Sequence, residues 1–188
     1  MFEHIKGKLK NNCYIPNTII DIGACYGDFT DKMLDIYPLT KYYLFESRNH
    51  PELQKFLVKD NVNVFNMLLG KDNNQTLEKI NNLDDILSIK DVFIKKDMKN
   101  VFIKINCKDN LLSILEGATN ILRITNFILI DLPFDDKYNN LSKIFLEIIK
   151  FLEKDFNLFD KIHIYEVKTS KRYNMFFINK NYKITVDI

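Results

Sequence analysis

Short apolar runs alternate along the chain with longer segments in which apolar residues recur at helical spacing. Apolar runs bounded by polar turns predict strands, and a repeat of about 3.6 residues predicts helices between them. The regular alternation of the two predicts an α/β fold, in which helices flank a mainly parallel sheet. The run Phe127–Leu132 (FILIDL) is almost entirely apolar, which is typical of a parallel strand buried on both faces.

The predicted strands and helices follow one another in order. Strands are predicted over residues 18–21, 42–46, 62–65, 101–106 and 127–132. Helices are predicted over 28–37, where Pro38 ends the helix, and over 51–59, 110–122 and 141–152. Residues 75–100 have a helix-like spacing of apolar residues that asparagines and aspartates interrupt, so no boundaries are predicted there.

The C-terminal part of the chain changes character. Strands over 161–168 and 174–180 are predicted to form a hairpin around the polar residues Thr169–Arg172. Five β–α units closed by an antiparallel hairpin are the order expected of the Rossmann-like class I methyltransferase fold, with a seven-stranded, mainly parallel sheet. Dehydrogenase Rossmann domains usually lack the reversed last strand. No linker rich in proline, glycine or serine divides the 188 residues, so one domain over 1–188 is predicted.

A glycine-containing turn, Asp21-Ile22-Gly23-Ala24-Cys25-Tyr26-Gly27, follows the first predicted strand. Glycine permits close approach to the backbone, and the next helix presents free amide groups at its N-terminus. The turn lacks the G-x-G-x-x-G spacing of dinucleotide sites, which cradle a pyrophosphate. S-adenosylmethionine brings a carboxylate, an ammonium and a sulfonium instead, so this spacing favours that cofactor over a nicotinamide dinucleotide. The candidate cofactor-binding residues here are Asp21, Gly23, Ala24, Cys25, Tyr26 and Gly27.

Glu46 ends the second predicted strand, just over twenty residues after Gly23. A carboxylate at this place can accept hydrogen bonds from both ribose hydroxyls of a nucleoside. Ser47, directly after it, and Met67, after the third strand, are further candidates for the cofactor site. The alternative is that the glycines form only a tight strand–helix turn and that Glu46 is solvated.

Composition narrows the choice of partners. The 27 basic and 25 acidic residues leave a formal charge of +2, which gives no field that would favour nucleic acid or an anionic membrane. The three cysteines have no paired metal-ligand spacing, so no metal site is predicted. The N-terminal residues MFEHIKGKLK contain no apolar signal core, and no apolar run is long enough to span a membrane. An intracellular, cytoplasmic protein with reduced thiols is therefore expected.

Several segments resemble the FkbM-type methyltransferase family, over about residues 19–180. DIGACYGDFT is similar to the family's D-x-G-A-x-x-G turn, and YLFESRNHPELQKFL is similar to its F-E-P strand end and helix. VFIKINCKDNLLSILEGA is similar to its F-L-K-I-D-V-E-G…VL-x-G-A segment. The resemblance implies transfer of a methyl group from S-adenosylmethionine to a hydroxyl oxygen, with sugars, glycans and other small molecules as acceptors.

The chain departs from this family on the acceptor side. Where the family has K-I-D-V-E-G, only Lys104-Ile105 is kept, and the aspartate, glutamate and glycine are replaced by Asn106, Lys108 and Asp109. These changes remove a potential base and reverse a charge. Either the acceptor differs from the family norm, or the chain is a module that binds the cofactor but catalyses weakly or not at all.

Transfer to a hydroxyl benefits from a base within hydrogen-bond reach of it. The candidate catalytic residues are Asp131, which matches an acidic position of the family, and Lys104, Asn106 and Asp109. Asp131-Leu132-Pro133-Phe134 also resembles the D/N-P-P-Y/F motif of amino-group methyltransferases. Because the first proline is missing and the segment follows the fifth predicted strand instead of the fourth, an amino-group acceptor is the weaker prediction. His50 is predicted to begin a helix rather than to act as a base.

Overall fold

The structure is a computed structural model that describes residues 2–11, 14–71, 80–89, 100–107, 110–134, 141–159, 163–167 and 170–182. In this part of the chain the strands are β1 Thr18–Ile22, β2 Lys41–Glu46, β3 Val62–Asn66, β4 Leu68–Leu69, β5 Ile80–Asn81, β6 Val101–Ile105, β7 Thr125–Phe134, β8 Phe156–Leu158, β9 His163–Val167 and β10 Ser170–Asn179. The helices are α1 Phe2–Asn11, α2 Asp28–Ile36, α3 Leu83–Ile89, α4 Leu111–Glu116, α5 Thr119–Arg123 and α6 Leu141–Leu152, and a 3-10 helix spans Pro51–Phe56.

The main sheet has the strand order β3-β2-β1-β6-β7-β10. The first five of these strands run parallel to one another, and β10 runs antiparallel to β7. Both β9 and β8 pair antiparallel with β10, β9 along residues 170–174 and β8 along residues 177–179, so they share the seventh position of the sheet. The sheet is therefore mainly parallel, seven positions wide and closed by an antiparallel hairpin, as predicted.

Alternate residues of the central strands enter two hydrophobic cores, one on each face of the sheet. Ile20 and Ile22 of β1 lie in the core that α3, α4, α5 and α6 cover. Ile19, which precedes Ile20 in the strand, lies in the core that α1, α2 and the 3-10 helix cover. All five residues of β1 and of β6 are buried, including Asp21 and Lys104, which explains why the other positions of these strands are almost all apolar in the sequence.

Three predicted elements differ from the structure. The helix predicted over 51–59 is a 3-10 helix that ends at Phe56. The single helix predicted over 110–122 is wrong, because the chain breaks between α4 and α5 at Gly117-Ala118. A Cβ atom on Gly117 would lie 2.5 Å from the carbonyl oxygen of Gly70, so the break brings two backbone segments into contact. The hairpin turn predicted over 169–172 is also wrong. Ser170–Arg172 belong to β10, where Arg172 pairs with Pro133 of β7 on one side and Tyr165 of β9 on the other.

Within the described residues, no helix is long and apolar enough to cross a membrane. The same residues contain no group of three or more histidine, cysteine, aspartate or glutamate side chains that could hold a metal ion.

Candidate functional site

A cavity of about 310 Å³ opens at the carboxyl ends of β1, β2 and β6. This is the edge of a parallel sheet at which α/β proteins bind their ligands, and the volume lies at the lower end of the roughly 300–1,000 Å³ typical of ligand pockets. The described residues that line it are Ile22, Gly23, Cys25, Phe45, Glu46, Ser47, Arg48, His50, Met67, Leu68, Leu69, Asn106, Cys107, Asn110 and Ile114.

The glycine turn between β1 and α2 forms the floor of this cavity. Gly23 has φ +71°, and a Cβ atom there would lie 2.5 Å from the backbone oxygen of Asn106. Gly27 has φ +83° at the start of α2, and its Cβ would lie 2.3 Å from the ring of Phe56. Both positions therefore require glycine for its conformation and for its small size. Cys25, between them, also has positive φ, at +53°.

Glu46, at the end of β2, holds this turn with one end of its carboxylate. Oε2 accepts a hydrogen bond of 2.9 Å from the backbone N–H of Cys25, and Oε1 accepts one of 2.9 Å from that of Arg48. An ionised carboxylate has about four acceptor positions, so these two bonds leave capacity for hydroxyl groups of a ligand. The half-buried Glu46 is thus both a support of the turn and a polar group on the cavity wall.

A buried ion pair lies beneath the turn, on the face of the sheet that α2 covers. Asp21 and Lys104 are register partners in β1 and β6, and Lys104 Nζ lies 2.7 Å from Asp21 Oδ1. Their side chains are 0% and 5% exposed. Thr30 donates to the other carboxylate oxygen of Asp21 at 2.8 Å, and Lys104 Nζ also donates to the carbonyl oxygen of Gly23 at 2.9 Å. The pair therefore ties the backbone of the glycine turn to β6.

A second polar cluster joins β6, β7 and β10. Arg172 of β10 donates from Nε to Asp131 Oδ1 at 2.9 Å and from Nη2 to Asn106 Oδ1 at 2.5 Å. Asp131 is 5% exposed and Arg172 is 18% exposed, so this pair is largely shielded from water. Arg172 is the member of the cluster that the sequence reasoning missed. The local sequence predicts a hairpin turn at this position, because the cross-strand register that brings Arg172 opposite β7 is not visible in local sequence.

Some of the predicted site residues line the cavity and others do not. Those that line it are Gly23, Cys25, Glu46, Ser47, Met67 and Asn106. Those outside its lining are Asp21, Ala24, Tyr26, Gly27, Lys104 and Asp131. Asp109 lies outside the described residues. Leu68, Leu69 and Asn110 also line the cavity and are not among the predicted site residues. Asn110 Nδ2 donates to Leu69 O at 2.9 Å and so joins the start of α4 to β4.

Two aromatic side chains stand beside the cavity. The ring of the half-exposed Tyr26 meets that of His50 edge to face, with centroids 4.8 Å apart. His50 precedes the 3-10 helix as its N-cap residue, as predicted, and also lines the cavity. Cys25 and Cys107 both line it as well, which places the two thiols at adjacent strand ends.

The sequence matches no protein-family model and no curated protein. Solved structures do resemble the chain. TrmK of M. capricolum, in complex with S-adenosyl-homocysteine, has TM-score 0.56 and 11% identity, over 93% of this chain and 69% of that one. Methyltransferase FkbM of Methylobacillus flagellatus KT has TM-score 0.56 and 16% identity, over 85% of this chain and 43% of that one. Precorrin-6y C5,15-methyltransferase of Geobacter metallireducens GS-15 has TM-score 0.51 and 14% identity, over 94% of this chain and 88% of that one.

These likenesses confirm the predicted Rossmann-like class I methyltransferase fold. At identities of 11–16% they establish the fold alone, and they include FkbM as one fold neighbour among methyltransferases of other kinds. Function at this site has to be argued from its own residues.

Proposed function

We propose that this protein is an S-adenosylmethionine-dependent methyltransferase that acts on a hydroxyl oxygen of a sugar, a glycan or another small molecule. The observation that carries the proposal is the cavity at the carboxyl edge of the sheet, with Gly23 as its floor and the Glu46 carboxylate on its wall. Both features serve a nucleoside ligand that carries no phosphate.

The residues present fit such a cofactor. Glu46 keeps acceptor positions for the two ribose hydroxyls after it has bound the amides of Cys25 and Arg48. Its negative charge is compatible with a sulfonium, and the turn lacks the G-x-G-x-x-G spacing that cradles a pyrophosphate. The ammonium of Lys104, which could have met a phosphate, is engaged by Asp21 and by the carbonyl of Gly23. The apolar walls formed by Phe45, Met67 and Leu69 suit a purine ring.

When bound, S-adenosylmethionine supplies a methyl group on a positively charged sulfur, so the protein's main task is to align an acceptor with it. Positioning of this kind accounts for up to roughly 7–11 kcal/mol of a reaction barrier. The rigid turn serves that task. It is held by the Glu46 carboxylate on one side and by the Lys104 ammonium on the other.

Lys104 and Asp131, which were candidates for catalysis, are proposed here as positioning residues. Neither is among the described residues that line the cavity. Lys104 holds the carbonyl of Gly23, and Asp131 holds the guanidinium of Arg172. Of the predicted catalytic residues that the structure describes, Asn106 is the one that lines the cavity.

A second candidate function is a methyltransferase-like module that binds the cofactor without efficient turnover. It is favoured by the cavity lining. Among the described residues that form it, Glu46 is the only carboxylate, and its remaining acceptor positions are the ones proposed for the ribose hydroxyls. A hydroxyl acceptor would then depend on His50 or on a residue outside the described ranges for removal of its proton.

The test is methyl transfer from radiolabelled S-adenosylmethionine to separate acceptor panels of sugars and glycans, of amines and of total tRNA. The proposal expects labelled product in the first panel and none with the Glu46→Ala variant. Label in tRNA alone would overturn the assignment to a sugar, glycan or small-molecule acceptor and the prediction that nucleic acid is not a partner. TrmK and a Streptococcus pneumoniae protein described as a putative tRNA (m1A22) methyltransferase share the fold, which makes that panel necessary. Cofactor binding without label in any panel would favour the non-catalytic module.

A further inference from the structure

Asn106 occupies the end of the cavity opposite the proposed adenosine side. It directly follows β6, whereas Glu46 and Met67 follow β2 and β3, and β1 with Gly23 lies between the two groups in the sheet. A ligand whose ribose lies on Glu46 and whose base lies toward Met67 therefore extends its other end across Gly23 toward Asn106.

The Arg172 contact determines which end of the Asn106 amide this ligand would meet. A guanidinium carries only hydrogen-bond donors, so the atom that Arg172 Nη2 meets at 2.5 Å must be the amide oxygen of Asn106. The amino group, Nδ2, is the other end of the same planar amide. It has no hydrogen-bond partner among the residues that the structure describes, and Asn106 lines the cavity. Asn106 thus offers the cavity a donor.

Arg172 is itself held in this orientation. Its Nε donates to the carboxylate of Asp131, and Nη2 donates to the backbone oxygen of Asp131 at 3.3 Å. The backbone N–H of Asn106 is bound to the carbonyl of Ile22 at 2.8 Å, which fixes the other end of the residue. An amide that is anchored at its oxygen and at its backbone cannot rotate freely to present an acceptor.

We infer that the Asn106 amino group, oriented by Arg172, binds the carboxylate of the cofactor's amino-acid tail. This rests on the proposed function and adds a specificity residue to it. A carboxylate is the part of that tail that needs donors, whereas the ammonium carries only donors and finds no acceptor at the amino end of the Asn106 amide. The replacement of the family aspartate by Asn106 is then part of the cofactor site and not a lost catalytic base.

The experiment is calorimetric titration with two ligands, S-adenosylhomocysteine and 5′-methylthioadenosine, which lacks the amino-acid tail. Asn106→Asp replaces the donor by a negative oxygen at almost constant shape. We expect it to weaken S-adenosylhomocysteine binding at least tenfold and 5′-methylthioadenosine binding less than twofold. Arg172→Gln should change the ratio of the two affinities in the same direction, because the amide of Asn106 is then free to turn. Asn63→Asp, the same substitution on the exposed side of β3, should leave both affinities unchanged.

If Asn106→Asp binds neither ligand, Asn106→Ser, which removes the donor without adding a charge, is measured in the same way. An unchanged ratio in the variants that bind, or an equal loss of both ligands in both Asn106 variants, would overturn the inference. Failure of the wild-type protein to bind either ligand would instead overturn the proposed cofactor site itself, so the two failures are distinguishable.

Discussion

Replacement of Lys104 by methionine tests whether the buried ion pair supports the cofactor turn. The substitution keeps the length and apolar stem of the side chain and removes the ammonium that contacts Asp21 Oδ1 at 2.7 Å and Gly23 O at 2.9 Å. Asp21, which is 0% exposed, would keep Thr30 as its side-chain partner among the described residues. Breaking a buried pair from one side costs about 3–5 kcal/mol, because an uncompensated charge stays in the interior.

This loss is a large fraction of the 5–15 kcal/mol that stabilises a typical folded domain. For a chain of this length it corresponds to a decrease of roughly 6–20 °C in Tm. Differential scanning calorimetry and urea unfolding of Lys104→Met should therefore show a clear shift. The double variant Asp21→Asn/Lys104→Met, which removes both charges, should recover most of the stability, since exchange of a buried pair for uncharged groups is often close to neutral.

The same variants separate a positioning role of Lys104 from a catalytic one. We expect the double variant to fold but to bind S-adenosylhomocysteine more weakly than wild type, because the Gly23 carbonyl has lost its ammonium partner. A Lys104→Met protein with wild-type stability and cofactor affinity but no methyl transfer would refute this reasoning. It would return Lys104 to the catalytic residues.

Five further outcomes are expected for single substitutions. Gly23→Ala should lower the free energy of unfolding by about 1–3 kcal/mol and weaken S-adenosylhomocysteine binding more than tenfold, because a Cβ would lie 2.5 Å from Asn106 O at a positive φ. Gly7→Ala, in helix α1 with nothing within 4 Å of the new Cβ, should instead raise it by about 0.5–1 kcal/mol in the same urea titration. Tyr14→Phe should raise the free energy of unfolding by about 1 kcal/mol, since the Tyr14 hydroxyl is buried and has no partner among the described residues. Tyr42→Phe should lower it by about 1 kcal/mol, because it loses the hydrogen bond to Tyr37 O. Burial raises the pKa of Tyr42 above the value of about 10 expected in the unfolded chain, so stability should fall as the pH rises above about 10, and less steeply in Tyr42→Phe. A loss of stability in Gly7→Ala or in Tyr14→Phe would contradict the prediction for that variant. An equally steep loss of stability above about pH 10 in the wild type and in Tyr42→Phe would contradict the predicted role of Tyr42.

The central sheet and the glycine turn could be predicted because their determinants are local. Strand β1 is a mainly apolar segment buried on both faces, and the turn after it needs glycine at positions of positive φ. Glu46 could be predicted as well, since the end of β2 adjoins the end of β1 in any sheet with this strand order. Each of these inferences uses residues within one β–α unit or in neighbouring units.

The rest of the site depends on contacts that are distant in sequence. Arg172 meets Asn106 across 66 positions, through the register of β10 on β7, and its polar neighbours made the segment resemble a turn. The buried pairing of Lys104 with Asp21 spans 83 positions, so Lys104 was predicted as catalytic instead of as a partner of the turn. Long-range partners of this kind are set by tertiary packing and leave no local signal in a single sequence.

The interrupted segment 75–100 shows a different limit. Helix α3 begins at Leu83, and Asn82 Oδ1 accepts the backbone N–H of Asp84 at 2.9 Å. Asp84 in turn accepts the N–H groups of Asn120 and Ile121 at the start of α5. The polar residues that obscured the helical repeat therefore cap one helix and join it to another, a role that an asparagine or aspartate in a turn does not reveal by its spacing.

Calorimetric titration of the wild-type protein and of Glu46→Ala with S-adenosylhomocysteine tests the central claim most directly. We expect one site of micromolar affinity in the wild type. The same affinity is expected when Glu153, an exposed glutamate beyond helix α6, is replaced by alanine. Glu46→Ala should lose at least about a hundredfold, since two hydrogen bonds to a charged group contribute about 1.5–3 kcal/mol each. No binding by the wild-type protein, or equal affinity in Glu46→Ala, would contradict the assignment of this cavity to the cofactor.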